Sequence, residues 1–179
     1  MDFIINWVSS LDWPIINRLL IATLLGAFVG FERERSGKIA GLRTHTLVSV
    51  GAALLTVITE RLFYIFPSVN GEMGLDYHIV ANIVVGIGFI GAGTILRREG
   101  GRIEGTTTAA SLWVVAAIGI ASGFGFYQEA IATTLIAYGI LAGLWLLEKY
   151  LTREIRYKGQ AIYGELKHGE NPGPEHSEK

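Results

Sequence analysis

The sequence predicts an all-α integral membrane protein, a bundle of about five transmembrane helices. Half of the 179 residues are hydrophobic and only 17% are charged, whereas a soluble domain usually carries about 25% charged residues. The charges are also unevenly distributed, because several runs of about 15–24 residues contain almost none, a length that suits a hydrocarbon core about 30 Å thick. Eleven of the 23 glycines fall within these runs, where small residues permit close helix packing.

The apolar runs also define the domain organisation. Residues 1–13 form an expected interfacial segment, since Trp7 and Trp13 resemble aromatic anchors at a membrane surface. Residues 14–150 form the five-helix membrane domain, and residues 151–179 form a short polar cytoplasmic tail. Within the domain, spans are expected at residues 15–31, 44–63, 78–96, 106–123 and 130–147, with a charged loop at 31–43 and a turn at 64–77.

Glycines recur at spacings that suit helix–helix packing. Three GxxxG pairs occur, in the first, fourth and fifth spans, and the third span is rich in single glycines. Such residues let two backbones approach closely in a bilayer, so we expect the third helix to be central and surrounded by others. The packing candidates are Gly26, Gly30, Gly86, Gly88, Gly91, Gly93, Gly119, Gly123, Gly139 and Gly143.

The positions of lysine and arginine predict the orientation. If the N-terminus lies outside, all of the fifteen basic residues except Arg18 and Arg61 fall on cytoplasmic segments. The positive-inside rule therefore predicts a topology with the N-terminus outside and the C-terminus inside.

An internal repeat is expected at an offset of about 64 residues. Gly37 and Gly41 then align with Gly101 and Gly105, and Thr44 aligns with Thr108. Each unit contains a helix, a basic loop with two glycines, and a second helix. Both loops are predicted to be cytoplasmic, so the two units would have a parallel topology, as in some transporters. Chance similarity between two glycine-rich basic loops is the alternative.

Glu32 and Glu34 are the best candidates for a cation ligand, because Mg²⁺ prefers oxygen ligands and retains several waters. They alternate with Arg33 and Arg35, so a salt-bridged turn at the membrane surface is the simpler interpretation. On a continuous helix, residues two apart diverge by about 200°. The weak metal candidate is therefore Glu32 alone.

The remaining candidates are single polar or aromatic residues near the ends of the spans or within them. Each has a structural alternative. Arg43, which opens the second span, could form an ion pair with Glu32 or Glu34. Polar groups within spans could snorkel or hold helices together, and the threonines at 106–108 could cap a helix. If the two units pack together, residues 43–45 should lie near residues 106–108. These candidates are Arg18, Arg33, Arg43, Thr44, His45, Asn82, Thr107, Thr108 and Trp113.

Several classes of function are disfavoured. The net charge of −1 argues against a nucleic-acid partner, and the absence of cysteine excludes thiolate metal sites and cysteine catalysis. The sequence contains no GxSxG or HExxH motif and no pair of carboxylates within a span. We therefore expect a non-enzymatic protein without a resident cofactor, Mg²⁺ being the one candidate ligand.

Four long motifs resemble the MgtC/SapB family of bacterial inner-membrane proteins. They are GFERE, AGLRTHTLVSVGAAL, VVGIGFIGAGTIL and GTTTAASLWVVAAIGIASGFGFY, which begin at residues 30, 40, 84 and 105. The resemblance covers about residues 17–147. Many members open the third helix with arginine and glutamine, near which this chain has His78 and Asn82. Many also carry a C-terminal ACT-like domain, for which the remaining residues are too few, so sensing through such a domain is not expected.

The resemblance implies a multi-pass protein of the inner (plasma) membrane, associated with growth at low magnesium and, in pathogens, with survival inside host cells. Beyond the lipid bilayer, it implies other membrane proteins as partners, with the F-type ATP synthase as one candidate, and the GxxxG pairs permit a homodimer. The leading hypothesis is a role in magnesium homeostasis or stress adaptation through such contacts. The alternative is a transporter or channel for Mg²⁺ or another ion.

Overall fold

The computed structural model describes residues 12–65, 78–97 and 103–143, and these are helical apart from one short hairpin. The helices are α1 (Trp13–Arg35), α2 (Leu42–Ile65), α3 (His78–Gly93), α4 (Thr106–Phe124) and α5, which covers 127–143 up to the last described residue. Between α3 and α4, β1 (Leu96–Arg97) and β2 (Ile103–Glu104) pair antiparallel. The predictions for residues 1–11, the turn at 66–77, the tip at 98–102 and the tail lie outside the described residues.

Three helices of the described part are long and apolar enough to cross a membrane: α1, residues Leu42–Phe63 of α2, and α4. α3 is equally apolar in character but has only 16 residues. The all-α fold with several candidate spans is therefore confirmed at this level. By its internal contacts the chain divides into two units, Met1–Gly139 and Ile140–Lys179. The first contains α1 to α4 and most of α5, and the described residues of the second, 140–143, are helical.

α1 packs against α2 through the first GxxxG pair. A Cβ atom placed on Gly26 would lie 2.6 Å from the Cβ of Ser49, and one on Gly30 would lie 2.8 Å from the Cα of Leu42. Both distances are shorter than real Cβ contacts, so only glycine permits this approach. The Ser49 hydroxyl donates a hydrogen bond of 2.8 Å to the carbonyl O of Ala22, which ties the two backbones together.

α4 also packs against α2, through the second GxxxG pair. A Cβ on Gly119 would lie 2.2 Å from the carbonyl O of Ser49, and one on Gly123 would lie 2.7 Å from that of Ala53. α1 and α4 contact each other as well, so α1, α2 and α4 pack together in the described bundle.

α3 is not the central helix that the glycine content predicted. One face packs on α2 and α4, where Ile83 and Ile87 join Ala52 and Ala116 in a buried cluster. The opposite side is open, and Phe89 is 84% exposed. The prediction was wrong because glycine shows only that close contact is sterically allowed, and not that a neighbouring helix of the same chain supplies it.

The end of α1 also differs from expectation. The charged segment 31–35, predicted as a loop, is the last turn and a half of α1. Gly37, with φ +63°, then ends the helix: its N–H donates to the carbonyl O of Glu34, and that of Lys38 donates to the carbonyl O of Arg33. This pattern is a Schellman motif, which satisfies the last carbonyls of the helix. These charged residues remain in the helix because Glu32 has Arg33 and Ser36 as partners and Glu34 has the backbone N–H of Leu42.

The start of α4 lacks the threonine cap that was expected. Its N-cap residue is Gly105, with φ +94° and no side-chain capping bond. A Cβ there would lie 1.9 Å from the carbonyl O of Thr94, so the close approach of the hairpin and the positive φ both require glycine. The short hairpin itself was not predicted, because strands of two residues are too short to show alternation.

Candidate functional site

The charged side chains that are buried or half-buried in the bundle lie toward its two ends. At one end, where α1 finishes and α2 and α4 begin, lie Glu32, Arg33 and His45, all buried. At the other end lies a pair formed by Arg18 and Glu60. We call these the buried polar cluster and the Arg18 pair. Both occur at helix ends, where charged groups are closest to water and headgroups.

The carboxylate of Glu32 is fully engaged by neighbours on its own helix. Its Oε2 accepts from Arg33 at 2.5 Å, and its Oε1 accepts from the Ser36 hydroxyl at 2.7 Å. Glu32 and Arg33 are 6% and 2% exposed. A buried ion pair is tolerated only when further hydrogen bonds satisfy its groups, and Ser36 supplies one. In this arrangement, the best carboxylate candidate for Mg²⁺ already has an arginine as its partner.

Glu34 is exposed and serves a different structural role. Its Oε2 accepts from the backbone N–H of Leu42 at 2.8 Å, and so caps the start of α2 from the end of α1. A Cβ on Gly41 would lie 1.9 Å from that oxygen, so the glycine makes room for the cap. The carboxylate also suits the positive end of the α2 dipole. Glu32 and Glu34 thus face different surroundings, as their helical spacing predicts.

His45 is completely buried and connects α2 with α4. Its Nδ1 lies 2.8 Å from the carbonyl O of Gly41, and because a carbonyl can only accept, Nδ1 carries a proton. Its Nε2 lies 3.0 Å from the Ser111 hydroxyl, which is also 2.8 Å from the carbonyl O of Thr108. The Ser111 hydroxyl has one proton to donate. When His45 is neutral, Nε2 accepts a hydrogen bond from this hydroxyl. When His45 is charged, Nε2 donates to the hydroxyl oxygen, and the hydroxyl donates to the carbonyl O of Thr108.

The Arg18 pair joins three parts of the bundle. Arg18 pairs with Glu60 on α2, and its guanidinium donates to the carbonyl O of Gly123 near the end of α4 at 3.0 Å. Nearby in sequence, Arg61 pairs with Asp12, but both of those side chains are more than half exposed. Arg18 therefore connects α1, α2 and α4, and the expected alternative of snorkelling does not describe it.

The other candidates lie outside these two clusters. Arg43, Asn82, Thr107 and Trp113 are exposed on the surface of the described bundle, and Thr44 is half-buried. Arg43 has no ion pair to Glu32 or Glu34, whose partners are those given above. Thr108 is buried, beside the His45–Ser111 contact. The starts of α2 and α4 are thus neighbours, as expected for residues 43–45 and 106–108.

An apolar groove of about 630 Å³ runs between α2 and α3. Asn82 and Gly86 lie on its α3 side and Gly51 on its α2 side, and the other lining residues are aliphatic. Among residues 12–65, 78–97 and 103–143, no group of three or more His, Cys, Asp or Glu side chains is arranged to hold a metal ion.

The sequence did not single out Ser36 and Ser111, which contact Glu32 and His45, or Ser49, which contacts Ala22 across α1 and α2. Serine in a membrane helix usually returns its hydrogen bond to its own backbone, so its spacing carries little signal. Glu60 was recognisable, because antiparallel helices bring the outer end of the second span beside the start of the first.

Comparison with known proteins places these features in a family. Residues 19–150 match the MgtC family. The chain is 40% identical over 132 residues to "Protein SapB" of Bacillus subtilis, a match that covers 74% of this chain and 56% of the relative. It is 43% identical over 136 residues to "Putative magnesium transporter YhiD" of Escherichia coli K12 (75% and 60%). It is 44% identical over 126 residues to "Protein MgtC" of Salmonella typhimurium (70% and 50%).

The chain thus spans only about half to three-fifths of the length of these relatives. No solved structure matches it. The family match covers most of the chain and includes both the buried polar cluster and the groove, and on this evidence the protein belongs to the MgtC family.

Proposed function

We propose that this chain is a multi-pass protein of a bacterial inner membrane that serves magnesium homeostasis and adaptation to low Mg²⁺ or stress. In this proposal it is not an enzyme, and it acts by contact with other membrane proteins. Family membership and the name of the E. coli relative support the link to magnesium. The contact mechanism rests on one observation: the buried and half-buried charges of Arg18, Glu32, Arg33 and Glu60 are paired within the chain, while an apolar groove lies open between α2 and α3.

The proposed orientation has the N-terminus outside and the C-terminus inside, with five spans. The end of the bundle that contains the end of α1 and the start of α2 carries Arg35, Lys38 and Arg43, all exposed, and Arg97 follows α3 at the same end. The positive-inside rule puts this end in the cytoplasm. The proposed parallel repeat relates α1–α2 to α3–α4, since each pair joins two helices through a basic segment at this end.

The role in magnesium homeostasis is tested by growth. A strain that lacks this gene should grow more slowly than its parent when Mg²⁺ is limiting, and equally well when Mg²⁺ is plentiful. Re-expression of the chain should restore growth, and so should the control variant Arg61→Met, which alters only an exposed ion pair. Equal growth of the deleted and parent strains at limiting Mg²⁺ would refute the role. The F-type ATP synthase is a candidate partner and can be tested by co-purification from the same cells.

Ion transport is the second candidate function. The E. coli relative's name includes "magnesium transporter", and Glu32 is the carboxylate that such a function would use. Its engagement by Arg33 and Ser36 means that a cation would have to displace a buried ion pair. Desolvated charges make that exchange costly, which is why we favour contact over transport.

A further inference from the structure

Three basic side chains are exposed at the end of the bundle where α1 finishes and α2 begins. Arg35 is the last residue of α1, Lys38 lies in the connection between the helices, and Arg43 lies in the first turn of α2. Within residues 12–65, 78–97 and 103–143, none of the three forms an ion pair. Three unpaired cations within nine residues create a positive potential that attracts an anion.

The carboxylates nearest to these cations in sequence are engaged in other contacts. Glu32 forms a buried ion pair with Arg33, which is neutral overall and offsets no charge at the surface. Glu34 is exposed, but its carboxylate accepts the backbone N–H of Leu42. From 34 to 43 the chain exposes three cations and this one carboxylate, so the segment has a net charge of +2.

The backbone that carries the three cations is fixed by hydrogen bonds. The N–H of Gly37 donates to the carbonyl O of Glu34, and that of Lys38 donates to the carbonyl O of Arg33. The carboxylate of Glu34 links the end of α1 to the start of α2, and Ala40 in the connection is buried. A fixed backbone lowers the entropy cost of binding, so these cations are better prepared for a ligand than those of a loose loop.

Exposed apolar side chains accompany the cations. Phe31 and Ile39 are each 58% exposed. Phe31 lies one helical turn before Arg35, and Ile39 directly follows Lys38. Cations beside apolar groups match the boundary between headgroups and acyl chains, because the charges reach phosphate while the apolar groups contact hydrocarbon. A free phosphate ion has no acyl chain to contact these apolar groups.

We propose that Arg35, Lys38 and Arg43 bind the phosphate of an anionic phospholipid, whose acyl chains contact Phe31 and Ile39. α1 and most of α2 are candidate membrane spans, so the chain leaves the apolar core of the bilayer at this end. The planar guanidinium groups suit phosphate oxygens. A lipid of net negative charge is preferred over a zwitterionic one, because the positive charge of the segment is not offset within it.

Native mass spectrometry of the purified full chain in neutral detergent counts bound lipid directly. Phosphatidylglycerol should bind more tightly than phosphatidylcholine. Arg35→Gln, Lys38→Gln and Arg43→Gln should each weaken phosphatidylglycerol binding by about fivefold, the effect of one basic residue near an anionic lipid surface. Arg61→Gln is the matched control, because Arg61 is also an exposed arginine near a helix end but is paired with Asp12. It should leave binding unchanged.

Two substitutions separate the lipid site from a purely structural role of these residues. Glu34→Gln keeps an oxygen that accepts the Leu42 N–H but removes the exposed carboxylate, so it should strengthen phosphatidylglycerol binding by up to about fivefold. Ile39→Ser leaves every charge in place and should weaken binding of the lipid, because it removes an acyl-chain contact. Circular dichroism verifies that each variant is folded.

Three results would each overturn the proposal. The first is equal affinity for phosphatidylglycerol and phosphatidylcholine. The second is an equal effect of Arg61→Gln and of the three glutamine variants in the segment. The third is displacement of phosphatidylglycerol by millimolar inorganic phosphate, which would assign the site to a free anion. None of these measurements depends on magnesium or on growth, so the lipid site can fail while the proposed function stands, or the reverse.

Discussion

Arg18 is a charged residue in a candidate membrane span, and its contacts explain why the bundle tolerates it. It pairs with Glu60 on α2 and donates to the carbonyl O of Gly123 on α4. The side chains of the pair are 22% and 29% exposed, so the charges remain partly accessible at the end of the helices. Removing the arginine leaves both a carboxylate and a carbonyl without their partner.

Arg18→Met should therefore lower the free energy of unfolding by about 1–3 kcal/mol, the cost of losing hydrogen bonds to a charged group. Arg61→Met is the control, because its pair with Asp12 is more than half exposed and such pairs contribute at most about 1 kcal/mol. Both can be measured by SDS titration followed by circular dichroism. Equal stability of the two variants would contradict the assigned role of Arg18.

At this scale neither of the main polar contacts was predicted. Arg18 was expected to snorkel, although it and Glu60 lie toward the same end of antiparallel helices and in fact pair. The His45–Ser111 contact has no signal in the sequence, since residues 66 apart meet only through the rotation of α2 against α4. Asn82 was identified as polar within a span, but its exposure follows from the peripheral place of α3.

Among the elements, the three GxxxG pairs have different surroundings. The pairs in α1 and α4 both pack against α2, at distances where a Cβ would collide with backbone or side-chain atoms. In α5, a Cβ on Gly139 would have open space within the described residues. The motif alone predicted all three equally, because spacing shows which residues share a face and not what covers that face.

This difference gives a test with two otherwise matched substitutions. Gly119→Ala would place a Cβ 2.2 Å from the carbonyl O of Ser49, and since backbone cannot easily move aside, the free energy of unfolding should fall by about 1–3 kcal/mol. Gly139→Ala should leave it unchanged or slightly raise it, because alanine favours helix. Thermal unfolding in detergent measures both. A Gly119→Ala protein as stable as wild type would contradict the close α2–α4 packing.

Helix ends were harder to predict than helix cores. Hydropathy located the apolar part of α1, but assigned residues 31–35 to a loop because they are mostly charged. The structure keeps them helical, since Glu32 and Arg33 pair with each other and Glu34 caps α2. The hairpin of β1 and β2, which lies between α3 and α4 in the chain, is held by backbone pairing. Strands of two residues are too short to leave a pattern in the sequence.

For the whole molecule, the all-α membrane fold and the family were predictable, because both depend on long features: apolar runs and motifs of up to 23 residues. The arrangement of the helices was not. α1, α2 and α4 pack together, α3 contacts α2 and α4 by one face, and an open groove lies between α2 and α3. Which helix faces lipid or a partner depends on packing across the chain, which a local pattern does not contain.

The central claim is that the protein acts by contact and does not itself carry Mg²⁺. It is tested most directly by measuring Mg²⁺ entry into proteoliposomes that contain the purified, folded protein and a Mg²⁺-sensitive dye. Glu32→Ala, Arg43→Ala and Asn82→Ala run in parallel, with an ionophore to verify the dye response. We predict entry no faster than into protein-free liposomes. Saturable uptake that Glu32→Ala abolishes would contradict the claim and establish a transporter.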